Sequence, residues 1–294
     1  MRRHGKFYWP TACAHRRRLK ALPEADLREI LRKRLAKRES LFTDRKKIIR
    51  IRTIELRLVF DIPIPERLQL LTRGERWFGR APREFKEPVL GAVDWRTCLA
   101  GEALYRVIDE SGDVIGIVDG CIDVYSRFAP GENPLLHIGH EGLWFGVGPL
   151  LSGQRRRATV VARTDALLAR LPSRAMRQLL AAEPEWWRVL GTGALEYGDY
   201  FAAAYAEMLI SDSARRCAAT LLRITGLRPP RRARPDRASV VVTQAELARL
   251  VNVVSRTTLV QILQQLERNG LIEQGYRTLR VRDANALEAI AAQV

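Results

Sequence analysis

The segment Thr243-Gln-Ala-Glu-Leu-Ala-Arg-Leu250 decides the fold of the C-terminal region. Thr243 and Glu246 have the spacing of a capping box, in which the Thr hydroxyl accepts from the backbone N–H of the Glu while the Glu side chain reaches back. A helix is therefore predicted from about residue 244. Asn252-Val-Val254 interrupts this helix, and Ser255 is placed to cap a second one.

The second predicted helix has two chemically different faces. Apolar residues recur at i, i+3, i+4 and i+7, which predicts one buried face made of Leu259, Ile262, Leu263 and Leu266. The opposite face carries amides, hydroxyls and arginines, at Arg256, Thr257, Val260, Gln261, Gln264 and Arg268. No acid occurs before Glu267, whereas an ordinary solvent-facing helix usually includes Glu. Such a face suits the phosphates and base edges of DNA.

A hairpin completes the C-terminal pattern. Asn269-Gly270 ends the second helix, and short strands are predicted at 271–273 and 278–281, around Gln274-Gly-Tyr-Arg277. Each signal is common alone, but their order within 243–282 predicts a winged helix-turn-helix that binds duplex DNA. The alternatives are a structural helix pair and a winged helix that contacts protein.

The middle of the chain has a different periodicity. Between about residues 68 and 172, short apolar runs are broken by Gly, Pro and Asp, which predicts a β-sandwich or open barrel. The predicted strands lie at 103–108, 115–118, 121–125, 135–138, 158–162 and 166–171.

Helices are predicted between the strands and the C-terminal region. Ser173 is a candidate N-cap for a helix that reaches Ala182, and Pro184 opens a longer helix that runs to about Ile210. Apolar residues in this longer helix recur in steps of three and four, at Trp187, Leu190, Ala194, Tyr197, Phe201, Ala204 and Met208. This heptad pattern favours pairing with a second helix, although Gly191, Gly193 and Gly198 each cost about 1 kcal/mol of helix stability. Packing against its own domain is the alternative.

A further helix is predicted at about 213–224, and the proline- and arginine-rich stretch 228–235 marks a domain boundary. The charge is unevenly distributed along the chain. Residues 1–66 carry 19 Lys and Arg against 8 Asp and Glu, whereas residues 67–228 carry 21 against 19. The formal net charge of +17 favours polyanionic partners such as nucleic acid. Residues 1–66 are either a basic arm that contacts phosphates or a leader without a fold, including one translated from a start site placed too early.

Several classes of protein do not fit the sequence. The four cysteines, Cys13, Cys98, Cys121 and Cys217, are too widely separated for a zinc or iron–sulfur motif. His137 and His140 have no carboxylate or Cys companion in the pattern, so we take them as ordinary polar residues. No apolar run approaches the roughly 20 residues of a membrane span and no secretory signal is present, so a cytoplasmic protein without membrane contact is expected. No nucleophile–base pair, P-loop or metal cluster indicates an enzyme.

The C-terminal motifs resemble the DNA-binding domain of the Crp/Fnr regulators. The resemblance is carried by Thr243 to Leu250, Ser255-Arg-Thr-Thr258 and Leu266-Glu-Arg-Asn-Gly-Leu-Ile272. It extends upstream, where the following segments resemble the family's cyclic-nucleotide-binding-like domain: Gly101-Glu-Ala-Leu-Tyr105, Gly116-Ile-Val-Asp-Gly-Cys-Ile-Asp-Val124, Phe145-Gly146 and Arg156-Arg-Ala-Thr-Val160.

The resemblance implies an α+β chain in four parts. These are a basic N-terminal extension (1–66), a β-roll sensor domain of jelly-roll type (67–182), dimerisation and connecting helices (183–228) and a winged helix-turn-helix (229–294). It also implies a homodimer that binds double-stranded DNA at a pseudo-palindromic site, with half-sites about 34 Å apart, and that contacts RNA polymerase.

On the matching positions, Arg256, Thr257 and Gln261 would read bases. Arg256 can donate in a fork to guanine O6 and N7, and Gln261 can pair with adenine. Ser255, Thr258 and Arg277 suit phosphate oxygens. Val253-Val254 makes the turn one residue longer than the family's usual spacing, which bears on the angle between the two helices and on half-site geometry.

A second departure concerns the effector. Nucleotide-binding members of the family carry a Glu directly after Phe-Gly and an Arg-Ser pair for the phosphate. Here Val147 stands in place of that Glu and Arg157 in place of that Ser. The candidate effector site, made of Phe145, Gly146, Arg156 and Arg157, is therefore apolar on one side and strongly basic on the other. We expect no cofactor, and no effector or one other than a cyclic nucleotide.

The sequence thus predicts a dimeric transcriptional regulator. The alternative is a signalling or scaffold protein, in which the β-roll binds a ligand and the winged helix binds a protein partner. The acid-poor recognition face favours the regulator.

Overall fold

The computed structural model describes residues 64–72, 76–110, 112–126, 133–227, 238–253 and 255–293. The N-terminal extension up to residue 63, with its predicted helical and strand-like stretches, lies outside the described residues. So does the predicted boundary segment at 228–235.

Within the described residues, three helices precede the first strand of the middle region: α1 (Ile64–Thr72), α2 (Trp77–Arg80) and α3 (Arg83–Gly91). The prediction of strand structure from about residue 68 is wrong for this segment. Trp77, Phe78 and Phe85 are buried together, and Phe78 stacks on Trp144 with ring centroids 4.3 Å apart. Phe85 and Val89 lie four residues apart on the buried side of α3, which is the spacing of a helix rather than a strand.

A β-roll follows, and its eight strands form two four-stranded antiparallel sheets in the orders β1-β8-β3-β6 and β2-β7-β4-β5. The strands are β1 (Asp94–Cys98), β2 (Ala103–Tyr105), β3 (Val114–Asp119), β4 (Ile122–Ser126), β5 (Leu135–Gly139), β6 (Trp144–Phe145), β7 (Ala158–Ala162) and β8 (Ala166–Leu171). Ile117, Ile122 and Leu168 are fully buried in one core cluster of the roll. This architecture confirms the predicted jelly-roll-like domain.

Two strands of the roll had no sequence signal. β1 reads Asp-Trp-Arg-Thr-Cys, so it contains no run of apolar residues, and only Cys98 in it is buried. β6 is two residues long and forms its antiparallel register with Ile115 and Gly116 of β3. Strands of this kind are defined by their partners rather than by their own pattern.

Helix α4 (Gly148–Ser152) lies within the roll, between β6 and β7. The helices that connect the roll to the C-terminal region are α5 (Ser173–Ala182), α6 (Trp186–Met208) and α7 (Ser213–Ile224). Ser173 does not cap α5, because Pro172 occupies the N-cap and the backbone N–H of Ser173 donates instead to Asp113 Oδ1 at 2.9 Å. The bounds of α7 are those predicted, with Asp212 as the N-cap that accepts from the backbone of Arg215.

The long helix α6 has an attached face and an exposed apolar face. Leu190 is fully buried, and Ala194 and Tyr197 pack against the same core, so this part of the predicted heptad row attaches α6 to its own domain. A different row is exposed, again with steps of three and four. We call this row the α6 seam: Leu195, Gly198, Ala202, Tyr205 and Leu209.

The C-terminal domain contains β9 (Ser239–Val241), α8 (Gln244–Val251), α9 (Arg256–Arg268), β10 (Ile272–Gly275), β11 (Thr278–Val281) and α10 (Ala284–Ala292). The predicted helix-turn-helix and hairpin are present, and β9 extends the hairpin to a three-stranded sheet in the order β10-β11-β9. The predicted α+β fold class is therefore confirmed. Among the described residues, no helix has the length and apolar character needed to span a membrane.

Candidate nucleic-acid interface

Helix α8 begins at the predicted capping box. Thr243 Oγ1 accepts from the backbone N–H of Glu246 at 3.2 Å, and Glu246 Oε2 accepts from the backbone N–H of Thr243 at 2.8 Å. The helix ends at Asn252, whose φ of 53° lies in the left-handed region that Asn tolerates. The chain is thereby turned toward the second helix.

The C-terminal end of α8, where the turn toward α9 begins, is held by Arg216 of α7. Arg216 Nε donates to the carbonyl of Val251 at 2.6 Å, and its Nη2 donates to the carbonyl of Asn252 at 3.4 Å. Val253 is buried and its N–H donates to the carbonyl of Ala248 at 2.9 Å. Sequence reasoning missed Arg216, because a buried Arg that serves two distant carbonyls leaves no periodic signal.

Helix α9 presents the predicted recognition face to solvent. Ser255 caps it by accepting from the backbone N–H of Thr258 at 3.3 Å. Leu259, Leu263 and Leu266 are buried in the domain core. The side chains that remain exposed are Arg256, Thr257, Gln261, Gln264, Gln265, Glu267 and Arg268. The three predicted base readers are therefore all accessible on the same helix, whereas Thr258 is half-buried.

The acid at the end of α9 is bound to the hairpin. Glu267 Oε1 accepts from the backbone N–H of Gln274 at 2.8 Å, and Oε2 accepts from the Gln274 side-chain amide at 3.0 Å. Two hydrogen bonds to one carboxylate partly satisfy its charge and fix the hairpin against the helix. The sequence showed Glu267 as an exception on a basic face, but it did not show this partner.

The hairpin tip is exposed and basic. Tyr276 is 92% exposed and Arg277, also exposed, has a φ of 53° in the turn. A side chain at Gly275 would place its Cβ 2.5 Å from Thr278 Oγ1, so it would displace that hydroxyl. The tip, α8 and α9 enclose a groove of about 980 Å³, which Arg256 and Arg277 both line. Tyr276 lines the same groove, although the sequence analysis did not single it out.

The four candidate effector residues divide into two sets in the β-roll. Phe145, Gly146 and Arg156 lie together, because Arg156 Nη1 donates to the carbonyl of Gly146 at 3.0 Å. Arg157 is exposed, and its guanidinium donates to the side chain of Gln154 instead. The structure therefore brings three of the four together.

Arg156 is already engaged within the protein. It is 2% exposed, its Nη2 donates to the carbonyl of Asp113 at 2.5 Å, and its guanidinium carbon lies 4.1 Å from the ring centroid of Tyr105. Burial lowers the pKa of Arg156. Gly146 has a φ of 95°, and a Cβ there would lie 2.7 Å from Arg156 Nη1, so this glycine makes the close approach possible.

Two family models match the chain. The model of the cyclic nucleotide-binding domain matches residues 95–183, and that of the Crp-like helix-turn-helix domain matches residues 215–290. Together they cover more than half of the 294 residues, in the order in which the β-roll and the winged helix occur.

The chain belongs to the Crp/Fnr family.

Known Crp/Fnr proteins are similar to the chain in sequence and fold. The cAMP-activated global transcriptional regulator CRP of Haemophilus influenzae is 27% identical over 186 residues, which are 63% of this chain and 82% of the relative. The structure of FixK2 from Bradyrhizobium japonicum matches at 16% identity with a TM-score of 0.56, over 69% of this chain and 98% of that one. A CRP-family transcriptional regulator from Thermus thermophilus, TTHB099, matches at 23% identity and a TM-score of 0.50, over 67% of this chain and 97% of that one.

Membership of the Crp/Fnr family makes the chain a DNA-binding transcriptional regulator. Members of this family are not enzymes, which confirms that part of the prediction. The predicted resemblance is also confirmed. The individual DNA and effector contacts stay predictions.

Proposed function

We propose that the protein regulates transcription as a homodimer that binds a pseudo-palindromic DNA site through the exposed face of α9. The observation that carries this proposal is the accessible, acid-poor surface of Arg256, Thr257 and Gln261 beside the basic hairpin tip. An α-helix with such a surface fits the major groove, where each base pair presents a distinct set of donors and acceptors.

Each proposed contact follows from the chemistry of the side chain. Arg256 donates in a fork to a guanine, Gln261 pairs with an adenine, and Thr257 contacts a base edge. The Ser255 hydroxyl accepts from the backbone of Thr258 and so retains its own proton for a phosphate oxygen. Thr258 and the exposed Arg277 complete the phosphate contacts, which fix the register of the helix on the duplex.

Homodimerisation is proposed through the α6 seam. Its members form an exposed apolar row with the 3-4 spacing of paired helices, and a Cβ at Gly198 would meet no neighbour within 4 Å. A partner helix can therefore approach closely at this glycine. The two α9 helices of the dimer would enter successive major grooves, about 34 Å apart.

The proposed effector, if the β-roll has one, is not a cyclic nucleotide. The Haemophilus influenzae relative is described as cAMP-activated. In this chain Val147, in the position directly after Phe-Gly, is a buried apolar residue of the core. Arg156 already donates to two carbonyls, and a phosphate would have to replace both of these hydrogen bonds.

Two further assignments are proposed from the same function. A regulator of transcription acts where the genome is, so we propose a cytoplasmic location. A dimer bound beside a promoter would contact RNA polymerase.

Random-site selection on the purified full-length protein tests the proposed function. We expect enrichment of two inverted half-sites about one helical turn apart, at salt concentrations of both about 50 mM and about 200 mM. Phosphate contacts weaken at the higher concentration, whereas base preference persists. Recovery of sequences without a shared half-site would refute sequence-specific regulation.

Substitution of Arg256 tests the assignment of base contacts. Arg256→Ala is expected to weaken binding to the selected site by about 1–3 kcal/mol and to relax base preference at one position, with far less effect on random DNA. Fluorescence anisotropy on both DNAs measures this difference. Arg177→Ala, which removes an exposed arginine from α5, is the matched control and should leave both affinities unchanged. Equal losses on specific and random DNA would make Arg256 a phosphate contact instead.

A further inference from the structure

A buried ion pair joins the β-roll to the winged helix of the same chain. Arg163 directly follows β7 and only 6% of its side chain is exposed. It pairs with Asp123 of β4, whose side chain is 9% exposed. Its Nη2 atom also lies 3.0 Å from Glu246 Oε1 of α8, and its Nη1 donates to the carbonyl of Val241 in β9. One guanidinium thus bridges two domains.

The acceptor on the winged-helix side also organises the start of α8. Glu246 Oε2 accepts from the backbone N–H and from the hydroxyl of Thr243, each at 2.8 Å, while Oε1 accepts from Arg163. Burial opposes ionisation of this carboxyl, but the hydrogen bonds from Thr243 and Arg163 outweigh it and lower the pKa of Glu246. The capping box and the interdomain contact therefore share one carboxylate.

The β-roll side of the pair is held in place independently. The backbone N–H of Arg163 donates to the carbonyl of Cys121 at 2.9 Å. The hydroxyl of Tyr125 donates to Asp123 Oδ2 at 3.1 Å. The β-roll therefore holds Arg163 and Asp123 in position independently of their contact with the winged helix.

A second polar contact lies at the same junction. His140 Nε2 is 2.5 Å from the carbonyl of Ile224 at the end of α7, and its Nδ1 is 3.3 Å from Cys121 Sγ. Because a carbonyl only accepts, Nε2 carries the proton and Nδ1 accepts from the thiol. The expectation that His140 has no Cys companion was therefore wrong. Burial lowers the pKa of His140 to about 4, so the ring is neutral near pH 7.

We propose that Arg163 is a positioning residue for DNA binding, which sets the orientation of α8 and α9 relative to the β-roll. Apolar contacts between the domains, such as that of Ile138 with the winged-helix core, are not directional and allow sliding. The forked hydrogen bonds of a guanidinium are directional and fix an angle. In the dimer of the proposed function, on which this inference rests, that angle sets the distance between the two α9 helices.

The first test is the dependence of affinity on half-site spacing. The variant Arg163→Met with Asp123→Asn removes Arg163 and neutralises its buried partner Asp123. The partly exposed Glu246 keeps its hydrogen bonds to Thr243, and so the capping box is retained. The matched control is Arg155→Met with Glu110→Gln, which removes an exposed pair from the same β-roll. DNA duplexes carry the selected half-sites at the optimal separation and with two base pairs added or removed.

Wild type and control are expected to lose about tenfold or more in affinity on the altered spacings, because both α9 helices must reach their half-sites at once. In the Arg163 variant this loss should shrink to about threefold or less, while affinity for a single half-site stays within about twofold of wild type. A purely structural role would lower both affinities without changing the spacing preference, and that result would overturn the proposal.

The second test does not depend on DNA. Nitroxide labels at Gln178→Cys in α5 and Ala289→Cys in α10, both exposed, report the distance between the two domains when labelled chains are diluted with unlabelled ones. The distance distribution should broaden in the Arg163 variant and not in the control. An unchanged distribution would overturn the positioning role. Wild type could show no preference for half-site spacing but a narrow distance distribution. That result would refute the proposed dimeric DNA complex and leave the positioning role of Arg163 supported.

Discussion

Replacing Leu195 and Leu209 with glutamate is expected to dissociate the dimer and to lower affinity for a two-half-site DNA by about 100-fold or more. Both residues belong to the α6 seam and are 72% and 68% exposed in the single chain. Pairing of two seams would bury four carboxylates without partners, which strongly disfavours association. Each monomer would then bind one half-site alone and lose the gain from linked binding.

Light scattering at fixed protein concentration measures the oligomeric state of this variant, and anisotropy measures DNA affinity. Thr192→Glu is the matched control, because Thr192 is exposed on α6 outside the seam. It should remain dimeric with unchanged affinity. A Leu195→Glu, Leu209→Glu protein that is still a dimer would show that another surface forms the interface.

The second large effect is expected at a buried ion pair between α6 and α7. Arg223 Nε lies 2.6 Å from Glu207 Oε2, and both side chains are buried. Glu207→Ala leaves the guanidinium of Arg223 without its main partner in the protein interior, which costs about 3–5 kcal/mol of unfolding free energy. The contact of Arg223 with the carbonyl of Leu136, at 3.4 Å, and its approach to the Tyr200 ring, at 6.0 Å, are too weak to replace the carboxylate.

Urea unfolding at constant protein concentration measures this loss as a lower midpoint with an unchanged slope. The double variant Glu207→Leu with Arg223→Met removes both charges and should recover most of the loss. Glu87→Ala, which breaks the exposed pair of Glu87 with Arg83, serves as the control and should leave the midpoint unchanged. A midpoint for Glu207→Ala equal to that of wild type would mean that water or another group satisfies Arg223.

The parts of the fold that were predicted correctly are those with local causes. The capping box at Thr243, the cap at Ser255 and the apolar spacing of α9 depend on residues within one or two helical turns. Strands β7 and β8 have the predicted bounds because each is a mainly apolar run that ends at polar residues or at Pro172. Local chemistry is readable in a single sequence.

The missed features have causes that are distant in sequence. Gly193 appeared only as a cost to α6, but a Cβ there would lie 2.9 Å from the ring of Trp77, so the glycine allows α2 to pack on the helix. Strand β9 is defined by its register with β11, about 40 residues later. The face of α6 that stays exposed as the seam depends on which face of this helix the β-roll covers. Arg163 and Arg216 act on residues at least 35 positions away, such as Val251 for Arg216.

The paired hydrogen bonds between Glu267 and Gln274 have a consequence for how the protein selects its sites. Because the backbone and the amide of Gln274 both bind one carboxylate, the hairpin and α9 tilt together rather than separately. With the contacts proposed above, a duplex whose groove width shifts the phosphates away from Arg277 would thereby also shift the bases away from Arg256. DNA shape, including the stiffness of base pairs that no side chain touches, should therefore contribute to site preference alongside the base sequence.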